Sequence, residues 1–352
     1  MSRGLLTVGF VLASLLSAAL HVALNSPISP LPLSLPSSKF CSNNLLQGVI
    51  KLGEGKLVGP EDVLVGPDGV LFTATRDGWI KRIQPDGSVE DWRFIGGPAV
   101  LGITASRDGD LLACDAHKGL LKVGDGGVNV LATRVDDDGS VIRFADEAVE
   151  ASDGSVYFTD ASSKFGLSDW LLDVLEAKPH GRLLKYDPVT KHTSVVLSDL
   201  AFANGVTLSP DEDFLIVCET WRFQCLKYWL KGERKGKSEI FVDNLPGGPD
   251  NINLAPDGSY WIALLSLHIM QGSLGNIPLI KRIVATFPKL LKSIHPMKNG
   301  AMAVKVAENG TITRTVDDSN GSVMSFVTSA LEFEGHLYLG SLATDFIGKL
   351  PL

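Results

Sequence analysis

Cysteine is scarce: four residues in a chain of 352, at positions 41, 114, 218 and 225. None stands in a CxxC pair and there is no HExxH, so the usual zinc signatures are missing. Aromatic residues make up only 7%. Lys and Arg (32) are outnumbered by Asp and Glu (40), for a net charge of -8, and no basic run stands out. That argues against nucleic acid as a partner. What is plentiful is Gly, at 36 residues, with 18 Pro between short apolar runs. Such punctuation favours a β-rich fold with many tight turns, and a 45% hydrophobic content is ample for a large core.

One long apolar run, residues 4–24, follows Arg3 and ends at NSPISPLPLSLPSS, whose four prolines break a helix. It reads as a signal peptide or a retained signal anchor over 1–24, with a Pro/Ser-rich linker over 25–44. Either reading sends the remainder into the secretory lumen, whether endoplasmic reticulum, vacuole or extracellular space. The sequons at Asn309 and Asn320 agree. Membrane contact is expected only through this N-terminal run, and the oligomeric state is left open. Cys218 and Cys225 bracket a short VCETWRFQC stretch. A disulfide across a hairpin and two buried thiols are both open there.

A repeat lies in the turns. GPEDVLVGPDGVLFTAT, LGITASRDGDLLACDA, FADEAVEASDGSVYFTDAS, FANGVTLSPDEDFLIVCET, GGPDNINLAPDGSYWIALLS and SFVTSALEFEGHLYLGSL each give a strand, a tight turn and an apolar strand. The turns fall at Gly69, Gly109, Gly154, Glu212, Gly258 and Gly335. The first intervals match a four-stranded blade, so residues 45–352 are expected to form an all-β, six-bladed β-propeller. QGVIKL, residues 47–52, is expected to close the ring. Two intervals are too long, and both carry helical patterns: residues 168–181, opening at Ser168, and residues 278–296, interrupted by Pro288. The two helical insertions are expected over one end, with membrane-surface contact the alternative for the second.

The mouths of the inner strands are polar in four repeats: Glu61, Asp146 with Glu147, Asn204, and Asp250 with Asn251. In a propeller these positions converge on the axis. Oxygens arriving from several blades suit Ca²⁺, which takes six to eight oxygen ligands. A single Asn or Asp there would be ordinary turn chemistry, but a set at one phase across four blades points to an ion.

FADEAVEASDGSVYFTDAS, WLLDVLEAKPHGRLLKYDP, LAFANGVTLSPDEDFLIVCET and FVDNLPGGPDNINLAPDGSYWIAL together resemble the strictosidine synthase-like family over most of the chain. That family is similar to paraoxonases and other calcium-dependent six-bladed esterases and lactonases. The resemblance implies calcium held by Glu61, Asn204, Asp250 and Asn251, with Asp146 where Asn is usual. A paraoxonase-type histidine pair is not reproduced: Leu101 stands at the first position, and His117 lies near the second. The glutamate used by strictosidine synthase itself is matched by Thr328, which cannot act as a carboxylate base; Glu332 and Glu334 lie close to the turn. The expected function is calcium-dependent hydrolysis of small-molecule esters or lactones, with Asp250 or Glu147 as base. Amine–aldehyde condensation and a non-enzymatic binding propeller are the alternatives.

Overall fold

The computed structural model describes residues 3–32, 41–66, 68–266, 276–293 and 300–352. Six four-stranded antiparallel sheets succeed one another along the chain. They span residues 60–94, 100–132, 145–200, 203–242, 248–318 and 327–351. Each inner strand packs beside the next, and that of the sixth blade packs beside that of the first, closing the ring. Ile50–Leu52 supplies the outermost strand of the sixth blade, with Ile50, Lys51 and Leu52 opposite Lys349, Gly348 and Ile347. N-terminal chain thus zips the ring shut, as the position of QGVIKL implied.

The turns behave as their residues dictate. Gly69, Gly109, Gly154, Gly258 and Gly335 all adopt positive φ. The fourth blade puts Glu212 there at φ 53, a conformation costly for a side chain. The Glu212 carboxylate accepts from Ser152 N (2.7 Å) and Ser152 Oγ (2.6 Å) in the neighbouring blade's turn, which offsets the strain.

Both long intervals leave from the end of a second strand. One separates Val156–Asp160 from Gly181–Asp187, the other Tyr260–Leu265 from Ala301–Val306. The first strand of a blade runs away from the axial mouth and the second returns to it, so both insertions lie over the mouth. The first forms a 3₁₀ turn, Leu167–Asp169, and a helix, Trp170–Glu176, ended by Ala177 in the left-handed region. Ser168 is therefore inside the 3₁₀ turn rather than capping the helix. The second forms Pro278–Thr286 and Pro288–Lys292, broken at Phe287 because Pro288 cannot continue a helix. The last residues of that interval, 294–296, fall outside the described residues.

The N-terminal run forms one helix, Arg3–Asn25. Its Thr7–Asn25 portion is long and apolar enough to cross a membrane, and nearly all of it is exposed. The linker expected after it is tied down at both described ends. Glu176 Oε1 accepts from Ser29 N at 2.7 Å, its carbonyl accepts from Leu31 N at 3.0 Å, and Lys281 Nζ donates to Leu31 O at 2.7 Å. Asp317 accepts from Ser42 Oγ, Asn43 N and Asn44 N at 2.5, 2.7 and 3.0 Å.

Candidate active site

Every inner strand slips register at the same place. The irregularity falls between Pro60 and Val63, Val100 and Ile103, Ala145 and Ala148, Ala203 and Val206, Pro249 and Ile252, and Val327 and Ser329. A bulge bends the strand and re-aims a side chain. The first residues after these points are Glu61, Leu101, Asp146, Asn204, Asp250 and Thr328, one per blade. In the second and fourth blades the next residue is Gly. A Cβ on Gly205 would lie 2.6 Å from Asp250 O and Ile252 N, and one on Gly102 would lie 2.6 Å from Asp146 O. Glycine there lets adjacent bulges close around the axis.

Glu61, Asp146, Asn204 and Asp250 line the floor of a cavity of about 160 Å³. Its walls are apolar: Leu101, Phe144, Leu167, Trp170, Phe202, Trp221, Leu265, Phe326 and Leu342. The aromatic part is ordered by ring contacts, Phe144 on Phe202 at 5.2 Å and Phe202 on Trp221 at 4.5 Å between centroids. Phe144, Phe202 and Phe326 each stand two residues before a bulge residue, so one phase of the repeat supplies the floor and another the wall. Both insertions serve this wall: Leu167 and Trp170 line it directly, and Val284 and Leu291 pack against its apolar core.

The polar floor is only partly satisfied. Glu61 Oε2, Asn204 Oδ1 and Asn251 Oδ1 are buried without a hydrogen-bond partner among the described residues. Burial, then repulsion from Asp250, Asp62, Asp146 and Glu147, pushes the Glu61 carboxyl well above the usual range. Burial likewise raises Asp250 strongly, with Asp146 adding repulsion and an Asn204 hydrogen bond opposing it. Asp146 is pushed up to about 8, mainly by burial, with Arg76 pulling it back. Among the described residues no three His, Cys, Asp or Glu side chains alone form a metal-binding group. A site here therefore depends on the amides of Asn204 and Asn251. Unpaired carboxylate and amide oxygens, with no sulfur or imidazole, fit a hard cation such as Ca²⁺.

Asn251 and Glu147 are buried but are not part of the cavity lining. Glu147 Oε1 accepts its neighbour's N–H, Ala148 N, at 2.8 Å, and lies 2.7 Å from where a Cβ on Gly102 would stand. Leu101 forms part of the wall, and His117 is exposed, with its backbone N–H donated to Asp115 Oδ1 at 2.8 Å. Thr328 is buried and donates Oγ1 to Glu61 O at 2.5 Å, a positioning contact for the first-blade bulge. Glu332 accepts from Trp261 Nε1 and Lys305 Nζ at 2.6 and 2.8 Å, away from the cavity. Sequence reasoning missed Asp62, which accepts from Val63 N and Ile103 N at 2.8 Å and joins adjacent blades. It missed Arg76 and the aromatic wall too, although a Phe recurs two residues before three of the bulges.

Cys218 and Cys225 face each other across neighbouring strands and are bonded, which settles that pair as a disulfide. Cys41 is exposed and Cys114 buried, both as free thiols.

The profile described as strictosidine synthase matches residues 146–233, and that described as strictosidine synthase-like, N-terminal, matches residues 39–83. The chain is 36% identical over 328 residues to Protein STRICTOSIDINE SYNTHASE-LIKE 4 of Arabidopsis thaliana, covering 91% of this chain and 86% of that protein. It is 36% identical over 355 residues to Adipocyte plasma membrane-associated protein of Mus musculus, covering 94% and 85%. This is a six-bladed β-propeller, and the chain belongs to the strictosidine synthase-like family. Among solved structures, a gluconolactonase of Xanthomonas campestris superposes with a TM-score of 0.61 at 14% identity, over 93% of this chain and 98% of that one. The calcium-binding protein regucalcin of Agrobacterium tumefaciens superposes with a TM-score of 0.53 at 12% identity, over 88% and 93%. At such identities the likeness is one of fold.

Proposed function

We propose that this protein is a calcium-dependent hydrolase of small esters or lactones. The observation that carries the reading is a set of unpaired buried oxygens: those of Glu61 and Asn204, which line an aromatic cavity with Asp250, and that of Asn251, next in the chain to Asp250. Glu61, Asn204, Asp250 and Asn251 would hold the ion, with Asp146 as a further oxygen donor. A bound calcium would polarise the substrate carbonyl and lower the pKa of water. The fold relatives named for gluconolactonase and calcium binding support the same reading.

This chain's own residues would do the remainder. Phe144, Phe202 and Trp221 hold the apolar body of the ester and exclude water from it. Asp250 faces the cavity and takes the proton of the attacking water. The water oxygen bonds to the carbonyl carbon, the ester C–O bond breaks, and the proton passes to the leaving oxygen. Asp250 suits this role better than Glu147, which is outside the cavity lining and accepts its neighbour's N–H. A cation beside Asp250 favours its ionised form, reversing the rise caused by burial.

The open cavity favours an enzyme over a binding propeller with a filled axis. Thr328, bound to the Glu61 carbonyl, supplies no carboxylate for amine–aldehyde condensation. We place the propeller in the secretory lumen (endoplasmic reticulum, vacuole or extracellular), supported by the apolar N-terminal helix, the disulfide and the exposed Asn309 and Asn320. The test is aryl-ester turnover by Asp250→Ala and Asn204→Ala proteins whose circular dichroism matches that of the folded parent. Loss of about a hundredfold or more in kcat is expected; turnover equal to the parent sinks the proposal.

A further inference from the structure

Arg76 follows Leu71–Thr75, the second strand of the first blade, and lines the same cavity as Glu61. Its stem is fixed. The backbone N–H donates to Val58 O at 2.7 Å, and a Cβ on Gly59 would lie 2.8 Å from Arg76 Cγ. Its fork is free. Among the described residues nothing accepts a hydrogen bond from the guanidinium, and Nη1 is buried without a partner. Arg182, by contrast, donates Nε and Nη2 to Asp160 at 3.2 and 2.5 Å and Nη1 to Ser140 Oγ at 2.6 Å.

Glu61, Asp146 and Asp115 act on Arg76 through space, yet none forms an ion pair with it. An unpaired guanidinium N–H in a half-closed cavity carries a desolvation cost that a ligand anion would remove. The fork geometry of Arg matches a carboxylate through two parallel hydrogen bonds. A cavity of about 160 Å³ with aromatic walls is close to the size that accepts one benzene ring.

We propose that Arg76 anchors a carboxylate of the substrate, so that the preferred substrate is a single-ring ester or lactone carrying a carboxylate group. The ester or lactone part rests on the hydrolase reading above; the carboxylate anchor does not. Arg76 contacts substrate without supplying or removing a proton, and it selects the anionic member of an isosteric pair. The competing role is a countercharge for Glu61 and Asp146, which would act on charged and neutral ligands alike.

The test uses the full chain and its Arg76→Met and Arg76→Lys variants. Turnover of 4-carboxyphenyl acetate is compared with that of its neutral isostere, 4-carbamoylphenyl acetate. The ratio of kcat/KM values should favour the carboxylate in the parent. It should fall by about tenfold or more in Arg76→Met, through KM, and by less in Arg76→Lys. Benzoate and benzamide binding, read by quenching of Trp170 and Trp221 fluorescence, gives a readout that needs no hydrolysis. Benzoate affinity should drop about tenfold in Arg76→Met relative to benzamide. Unchanged benzoate affinity, or an equal loss for both probes, overturns the anchor. Selective loss of benzoate in a protein that hydrolyses neither ester upholds the anchor and removes the hydrolase reading. Arg76→Lys, which keeps the charge, covers the case in which Arg76→Met does not fold.

Discussion

Trp221 donates its indole N–H to Asp173 Oδ1 at 2.7 Å, linking the fourth blade's share of the cavity wall to the helix inserted in the third. Asp173 Oδ2 also accepts from Ser162 Oγ at 2.5 Å. Both partners are buried, so Asp173→Ala would leave two donors unsatisfied. A loss of about 2–4 kcal/mol in stability is expected, taking about 1–2 for each orphaned group. Asp173→Asn should cost less, since the amide can still accept from Trp221. Denaturant titration with Trp fluorescence checks this; an Asp173→Ala protein as stable as the parent would show that the link does not hold the insertion.

The axial carboxyls predict how stability varies with pH in a chelator. Asp146 is pushed up to about 8 and Asp62 to about 6, in each case mainly by burial. Groups with raised folded pKa hold protons that the unfolded chain has already released. Their contribution is complete at low pH and is lost as pH rises towards 8. With EGTA present, Tm should therefore fall between about pH 5 and pH 8. Added calcium should raise Tm, and by more at the upper end, because it takes the place of those protons. A Tm in EGTA that stays level or climbs over that range contradicts the assignment.

Blade count, hairpin turns, ring closure and the interruption at Pro288 were all legible in the sequence, because each follows from local chemistry. Asp-Gly turns, alternating apolar strands and proline act within a few residues. Glu61, Asp146, Asn204 and Asp250 were legible as well, since they recur at one phase at the mouths of the inner strands. The bulges that aim them were not, because a register slip depends on the partner strand. Asp62 was hidden for the same reason: its hydrogen bond to Ile103 N crosses between blades. The docking of residues 26–32 on Glu176 and Lys281 could not be read from a stretch that is merely rich in Pro and Ser.

The disulfide closes a short loop, with a sequence separation of 7 between Cys218 and Cys225. Loop entropy alone then assigns it about 2–3 kcal/mol. Replacing both residues with Ala should lower the unfolding free energy by that amount, shift the denaturation midpoint down and leave the blade pairing intact. A double variant with the parent's midpoint would show that the bond contributes nothing to the folded state.

Asn309 and Asn320 both sit exposed in turns of the fifth blade and its exit. If the propeller enters the secretory lumen, both should carry N-glycans when the chain is expressed in a eukaryotic secretory host. Digestion with an amidase that removes N-glycans should shift the mass in two steps, and Asn309→Gln should remove one of them. A chain of unmodified mass, recovered with its Cys218 and Cys225 reduced, would place it outside that compartment.

The most direct test of the metal reading is calcium content paired with aryl-ester turnover on the same preparation, before and after EGTA. About one tightly held calcium per chain is expected at the axial floor. Turnover should disappear on chelation and return with added calcium, and an Asp250→Ala protein should lack both. Ester turnover untouched by EGTA in a protein free of calcium would contradict that reading, leaving the oxygens of Glu61, Asn204 and Asn251 without the ion that accounts for them.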